Sequence, residues 1–172
     1  MCRPASFVLT NDRVFWSKNT DSHEDIVAEF ELQESGARGI QILRVEIAPD
    51  DGDLARPPRE WVFGYDQDML PDWADKAKDE RRTRKALAEW RTAKLFVRGE
   101  HSVHAGIIYA LGSARVVARD SARVVARGSA RVVARNSASV HTYAAGPVVE
   151  LKSPHAVHID RSGSRAKCTV GQ

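Results

Sequence analysis

Cys2 stands where a chain can make its own nucleophile. An initiator methionine before a residue as small as cysteine is normally removed, which leaves a thiol beside a free α-amine. With a pKa of roughly 8, that amine can act as base toward its own side chain. A buried or merely tolerated cysteine would occupy the same position equally well. Ser22-His23-Glu24-Asp25 offers an imidazole beside two carboxylates, which makes His23 a second catalytic candidate; the same run fits the capped first turn of a helix. Asp66-Gln67-Asp68 offers a carboxylate pair for a hard cation or acid/base work, or else a turn ahead of Pro71. His101 with His104, and His155 with His158, have a spacing seen among metal ligands. On a strand, however, residues three apart point to opposite faces. Cys2 and Cys168 form no zinc pattern, and no Gly-rich phosphate loop or lipase-type elbow is present. Neither a metal nor a cofactor is expected.

The remaining candidates are six arginines, Arg115, Arg119, Arg123, Arg127, Arg131 and Arg135. They recur because one octapeptide, Ser-Ala-Arg-Val-Val-Ala-Arg followed by Asp, Gly or Asn, stands at residues 113–120, 121–128 and 129–136. The period extends, with decay, to residues 105–112 on one side and to 137–144, 145–152 and 153–160 on the other. Its fourth position runs Ile108, Val116, Val124, Val132, Val140, Val148, Ala156. A fixed period over this many units marks a repeat architecture. Within a unit the alternation has period two, Ala-Val-Ala on one face and Arg-Val-Arg on the other, so each unit is a strand. Asp120-Ser121, Gly128-Ser129 and Asn136-Ser137 are turn pairs.

Parity decides how the strands are joined. In a meander of two-residue hairpins, the Arg face of one strand would continue as the Ala face of the next, and no side of the sheet would be dry. A solenoid keeps Ala-Val-Ala inward through every corner. Two octets per coil are expected, since one octet encloses too little core, and seven octets make about three and a half coils, roughly 17 Å tall. Solenoid ends need caps. The first octet is apolar outside, at Ile107, Tyr109 and Leu111, and late octets put Leu151, Val157 and Ile159 outward. These residues, with Tyr143, are expected to cap the stack or to meet the N-terminal part, a tail or a second subunit.

The elements ahead of the repeat differ in kind. All four tryptophans, Trp16, Trp61, Trp73 and Trp90, lie there. Residues 1–100 carry 16 Lys+Arg against 20 Asp+Glu, whereas residues 101–172 carry 10 against 3. The modest overall charge of +3 hides two units of opposite sign. The pattern predicts a hairpin across Asn11-Asp12-Arg13 and a helix over about residues 23–32 capped by Asp21 or Ser22. Strands follow at 39–48 and 61–65, then a long helix over about 71–94 with a solvated charged centre and with Leu87 and Trp90 on its apolar side. The expected fold is an α+β head over residues 1–98, a β-solenoid over 99–160 and a polar, flexible tail over 161–172.

Three resemblances bear on this organisation. The repeat is similar, in period and in its Gly-Ser corners, to the octapeptide solenoids of bacterial ice-nucleation proteins; the Thr-x-Thr rows associated with ice binding are absent. The hairpin after Cys2 resembles the start of N-terminal-nucleophile amidohydrolases, although Arg3 stands where the amidotransferase branch has glycine. The start Met1-Cys2-x-x-Ala5-Ser6-Phe7, with Ser22-His23-Glu24-Asp25, Asp66-Gln67-Asp68 and the octapeptides, resembles uncharacterised small proteins of bacterial viruses. That likeness implies a phage context and no activity.

The expectation for function is a non-enzymatic interaction or assembly protein that associates with itself or with a protein partner. The alternatives are a small cysteine hydrolase or amidotransferase using Cys2, and a binder of nucleic acid or another polyanion through the arginine rows. No secretory signal or apolar span is visible, so a cytoplasmic protein without membrane contact is expected, in the bacterial host if virus-encoded.

Overall fold

The computed structural model describes residues 4–36 and 39–172. Cys2 lies outside the described residues. The chain divides into two compact units, Met1–Arg91 and Thr92–Gln172.

In the first unit, β1 (Ser6–Leu9) and β2 (Val14–Phe15) form the expected hairpin, with Val8 opposite Phe15. The Thr10 hydroxyl closes its turn, donating to Asp12 and accepting from the Arg13 N–H. α1 (His23–Glu29) starts at Ser22, whose hydroxyl accepts from the Asp25 N–H. Asp21, the other expected cap, instead accepts from the Trp90 indole at 3.3 Å. α1 stops early because Glu31 adopts φ 51° and the Leu32 N–H returns to Val27 O at 3.0 Å, the bond that ends a helix at a left-handed residue. Next come a two-residue ladder of β3 (Ser35–Gly36) and β4 (Gly39–Ile40), then β5 (Leu43–Ala48) and β6 (Val62–Tyr65). The main sheet has the order β2-β1-β5-β6, antiparallel throughout. Every β1 side chain is buried, so both faces of the sheet are covered. On one face Val8 packs with Ile26 and Val27 of α1.

α2 (Lys76–Lys94) begins later than Pro71, because the Asp75 carboxylate accepts from the Lys78 N–H and sets the start. Its charged centre is only partly solvated. Asp79 and Thr83 are fully buried, and Asp79 accepts from the Tyr65 hydroxyl at 3.2 Å. Burial, then the Asp79 charge, pushes the Tyr65 hydroxyl up to about 12. Arg82 donates to Thr10 O and Arg13 O, and Arg84 donates to Trp61 O. The apolar side is as the pattern predicted: Leu87 and Trp90 are buried, and Trp90 meets Trp61 edge-on at 6.3 Å.

The second unit is a β-solenoid of about four turns over residues 95–160. Its strands are β7 (Leu95–Phe96), β8 (Glu100–Val103), β9 (Ile107–Ala110), β10 (Arg115–Ala118), β11 (Arg123–Ala126), β12 (Arg131–Ala134), β13 (Ser139–Thr142), β14 (Val148–Leu151) and β15 (Val157–Asp160). They alternate between two parallel sheets, β8-β10-β12-β14 and β7-β9-β11-β13-β15. Arg115 lies opposite Arg131 and Arg123 opposite Ser139, which is two octets per coil. Inside, Ala114, Val116, Ala118 and their successors make a continuous core. The last octet position needs a left-handed backbone: Gly112 has φ 52°, Asp120 51°, Gly128 66° and Asn136 53°. Gly, Asn and Asp tolerate that region best, which explains why this corner varies among these three alone from Gly112 to Asn136.

Three details depart from expectation. The solenoid starts two strands before the first octet, with β7 and β8. The octet frame also slips after β13: Val149, not Val148, lies opposite Val132, and His158, not Ala156, lies in register with Val140. An unbroken frame would turn Glu150 inward and Leu151 outward; one extra residue in the corner reverses both, so Leu151 packs on the core rather than forming an outer cap. Finally, the tail expected to be flexible contains β16 (Lys167–Val170), antiparallel to β15 and closing that end of its sheet.

Candidate functional site

The arginines divide between the two outer faces of the solenoid. On the face of β8-β10-β12-β14, Arg115 and Arg131 stand in register, with Val117 opposite Val133 beside them. Arg119 and Arg135 follow directly after the same two strands. Arg115, Arg131 and Arg135 are exposed and Arg119 is half-buried. The valines floor a groove of about 310 Å³ between Glu100 and Glu150. Arg115 reaches Glu100 at 3.4 Å; both side chains are exposed, so this pair adds little stability. Arg123 and Arg127 belong to the other sheet, where the Arg127 guanidinium lies 5.9 Å from the Tyr143 ring centre.

That second face is mostly apolar along its central row, Leu95, Tyr109, Val125, His141, Ile159. Tyr109, Val125 and His141 are buried, Ile107 and Ile159 half-buried, Leu111 buried and Tyr143 exposed. Burial, with Arg123, Arg161 and His158 nearby, holds the His141 imidazole down at about 4. The histidine pairs point apart as expected. His101 takes an inward position, stacked on Phe96 at 3.9 Å, while His104 faces Asp120 at 3.0 Å. His158 points inward to the Thr142 hydroxyl at 3.0 Å, while His155 is exposed.

In the first unit the run Ser22-His23-Glu24-Asp25 splits. Glu24 and Asp25 serve the cap: Glu24 accepts from the Ser22 hydroxyl, and its own backbone N–H, then that hydroxyl, holds its carboxyl below the usual range. His23 instead turns inward and is 1% exposed. Its Nε2 lies 3.1 Å from Val45 O and its Nδ1 3.0 Å from Asp66 Oδ2. Both ring nitrogens are engaged, so His23 has no nitrogen open to act as an external base. Asp66 and Asp68 do not act as a pair: Asp68 is exposed, and Gln67 between them ties the turn by accepting from the Arg44 N–H and donating to Met69 O. What the sequence did not reveal is Glu46, which joins His23 and Asp66 in one cluster.

Comparison with known proteins finds no matching family, no matching curated protein and no matching solved structure. The fold defines the chain as a β-solenoid protein with an antiparallel-sheet N-terminal unit. Among the described residues, no helix is long and apolar enough to cross a membrane.

Proposed function

We propose that this chain is a non-enzymatic interaction and assembly protein, and that the exposed Arg/Val groove of its solenoid receives the acidic N-terminal unit of a second copy. The observation that supports this is the groove itself: Arg115 and Arg131 edge one side of an apolar floor, a combination suited to an acidic protein surface. The charge balance agrees. Met1–Arg91 holds 14 Lys+Arg against 19 Asp+Glu, net −5, and Thr92–Gln172 holds 12 against 4, net +8. The phage context implied by the resemblance is compatible with such a role and adds no activity.

Light scattering behind size-exclusion chromatography tests the proposal. A dimer or larger species at low salt should fall toward monomer above about 0.5 M salt, where screening reaches a few Å. A monomer under both conditions rejects it. A nucleic acid in the same groove has less support, because Tyr109, His141 and Tyr143, the side chains available for base stacking, stand on the other sheet. The Cys2 alternative is decided separately by intact mass and labelling with an electrophile. Retained Met1, or an unlabelled Cys2, removes it.

A further inference from the structure

Three side chains of metal-ligand type meet in the first unit. His23 opens α1, Glu46 lies on β5, and Asp66 follows β6 directly; each brings a ligand atom within 4.8 Å of the others. Backbone pairing puts the two carboxylates on neighbouring strands, since Val45 lies opposite Tyr65 and the Asp66 N–H donates to Arg44 O at 2.9 Å.

The geometry at His23 says more than proximity does. Val45 O can only accept, so the Nε2 beside it carries hydrogen, and in the neutral ring the lone pair is left on Nδ1. That lone pair is aimed at Asp66 Oδ2, 3.0 Å away. Two lone pairs face each other favourably only with a positive charge between them. A cation bound to a ring nitrogen and a carboxylate oxygen at about 2.1 Å each, at an angle near 90–100°, sets those two atoms about 3 Å apart. A ring N–H given to a backbone carbonyl is the usual support of a histidine that ligates metal. A second ring proton would also bridge His23 to Asp66, and it would need no third group; Glu46, with a ligand atom within 4.8 Å of both, adds the further donor that a divalent ion takes.

We propose that His23 Nδ1, Glu46 and Asp66 bind one divalent cation of the Zn²⁺/Mn²⁺ class, with the Val45 carbonyl fixing the histidine tautomer. One imidazole with two carboxylates suits these borderline ions better than Mg²⁺ or Cu⁺. Asp66 is exposed, which gives the ion a path from solvent and leaves room for water in its remaining positions. This site lies wholly in the first unit and is independent of the solenoid groove.

Calorimetric titration of the chelator-stripped full chain with Zn²⁺ tests it, alongside the shift in melting temperature. The expected result is a single equivalent bound with a raised melting temperature, weakened roughly tenfold or more in Asp66→Asn and in Glu46→Gln. His155→Ala, at an exposed solenoid histidine, should leave binding unchanged. Two of these variants alter side chains at least partly open to solvent at the site, so folding is retained; far-ultraviolet circular dichroism checks this. Absence of Zn²⁺ binding overturns the proposal and leaves a His23–Asp66 ion pair. Wild-type affinity in either carboxylate variant overturns it too, placing the ion elsewhere.

Discussion

The two units bury their cores by opposite means. The first unit uses large, dissimilar side chains, among them Phe7, Leu43, Trp61 and Trp90, brought together from distant parts of the chain. Its helix is then tied down by buried polar groups, with Asp79 accepting from Tyr65 and Arg82 donating to two loop carbonyls. The solenoid uses only Ala and Val at most inner positions, and each coil packs against a near copy of itself. Small identical side chains make a thin core whose stability accumulates coil by coil. The difference teaches where function can sit. In the central coils of the solenoid the inner face is committed to packing, so variation there is confined to corners and outer rows, and polar His101, Thr142 and His158 turn inward only toward its ends. In the first unit, polar residues enter the interior, and His23 is one of them.

The comparison can be broken most directly by a charge in the thin core. Val124→Asp should cost more than about 4 kcal/mol, since Val124 is fully buried with no partner for a carboxylate. Hydrogen exchange should show protection lost across β9, β11 and β13 while β1 and β5 keep theirs. Loss of protection in both units together would show that they do not fold separately. The counterpart, Leu43→Ala, should cost about 2–5 kcal/mol and unprotect β1 and β5 first.

A smaller effect follows from His141. Its folded value of about 4 lies below the ordinary 6.5, so above pH 6.5 the ring is neutral in both states and contributes nothing. Below that, the unfolded chain takes up the proton first, and stability falls as pH drops from about 6.5 to about 4, by roughly 3 kcal/mol at most. His141→Val, which restores the repeat's own residue, should flatten this part of the stability curve measured by urea unfolding. Next is Gly128→Ala, expected to cost about 1–3 kcal/mol, because φ is 66° and the added Cβ would lie 3.2 Å from the Gly112 nitrogen. Asn136→Gly at the equivalent corner should be near neutral, which separates backbone strain from loss of a side chain. The smallest change belongs to the outer row. Arg115→Ser with Arg131→Ser should alter stability by no more than about 0.5 kcal/mol each, while removing most of the salt dependence of self-association.

Legibility followed the same division. Alternation and octet period were enough to place Val116, Val124 and Val132 inside and Arg115, Arg123 and Arg131 outside. A one-residue slip would have turned every one of them over. Two slips do occur. The second, before β15, puts His158 opposite Val140; the first, near Gly146 and Pro147, was invisible because it sits in a corner and leaves the octet length intact on paper. Only the pairing of Val149 with Val132 exposes it, and it moves Leu151 from the surface to the core. In the first unit, the hairpin, the start of α1 and the apolar side of α2 could be read from local chemistry. The order β2-β1-β5-β6 could not, since nothing in a strand's own residues names its neighbour.

His23 shows the same limit at the scale of one side chain. Its neighbours Ser22, Glu24 and Asp25 announce a helix cap, and all three take part in one. The inward turn of the imidazole depends on α1 lying against β5, where the Val45 carbonyl is available, and on β6 delivering Asp66. By itself, the sequence determined what a repeating period can determine: two faces, turn pairs at the corners, two octets per coil and a basic exterior. These follow from steric rules that act within a few residues. The meeting of His23, Glu46 and Asp66, the inward turn of Leu151 and the closing strand β16 were decided by contacts between residues far apart in the chain. Such contacts are settled by which surfaces must leave water together, and that balance exists only in the folded molecule.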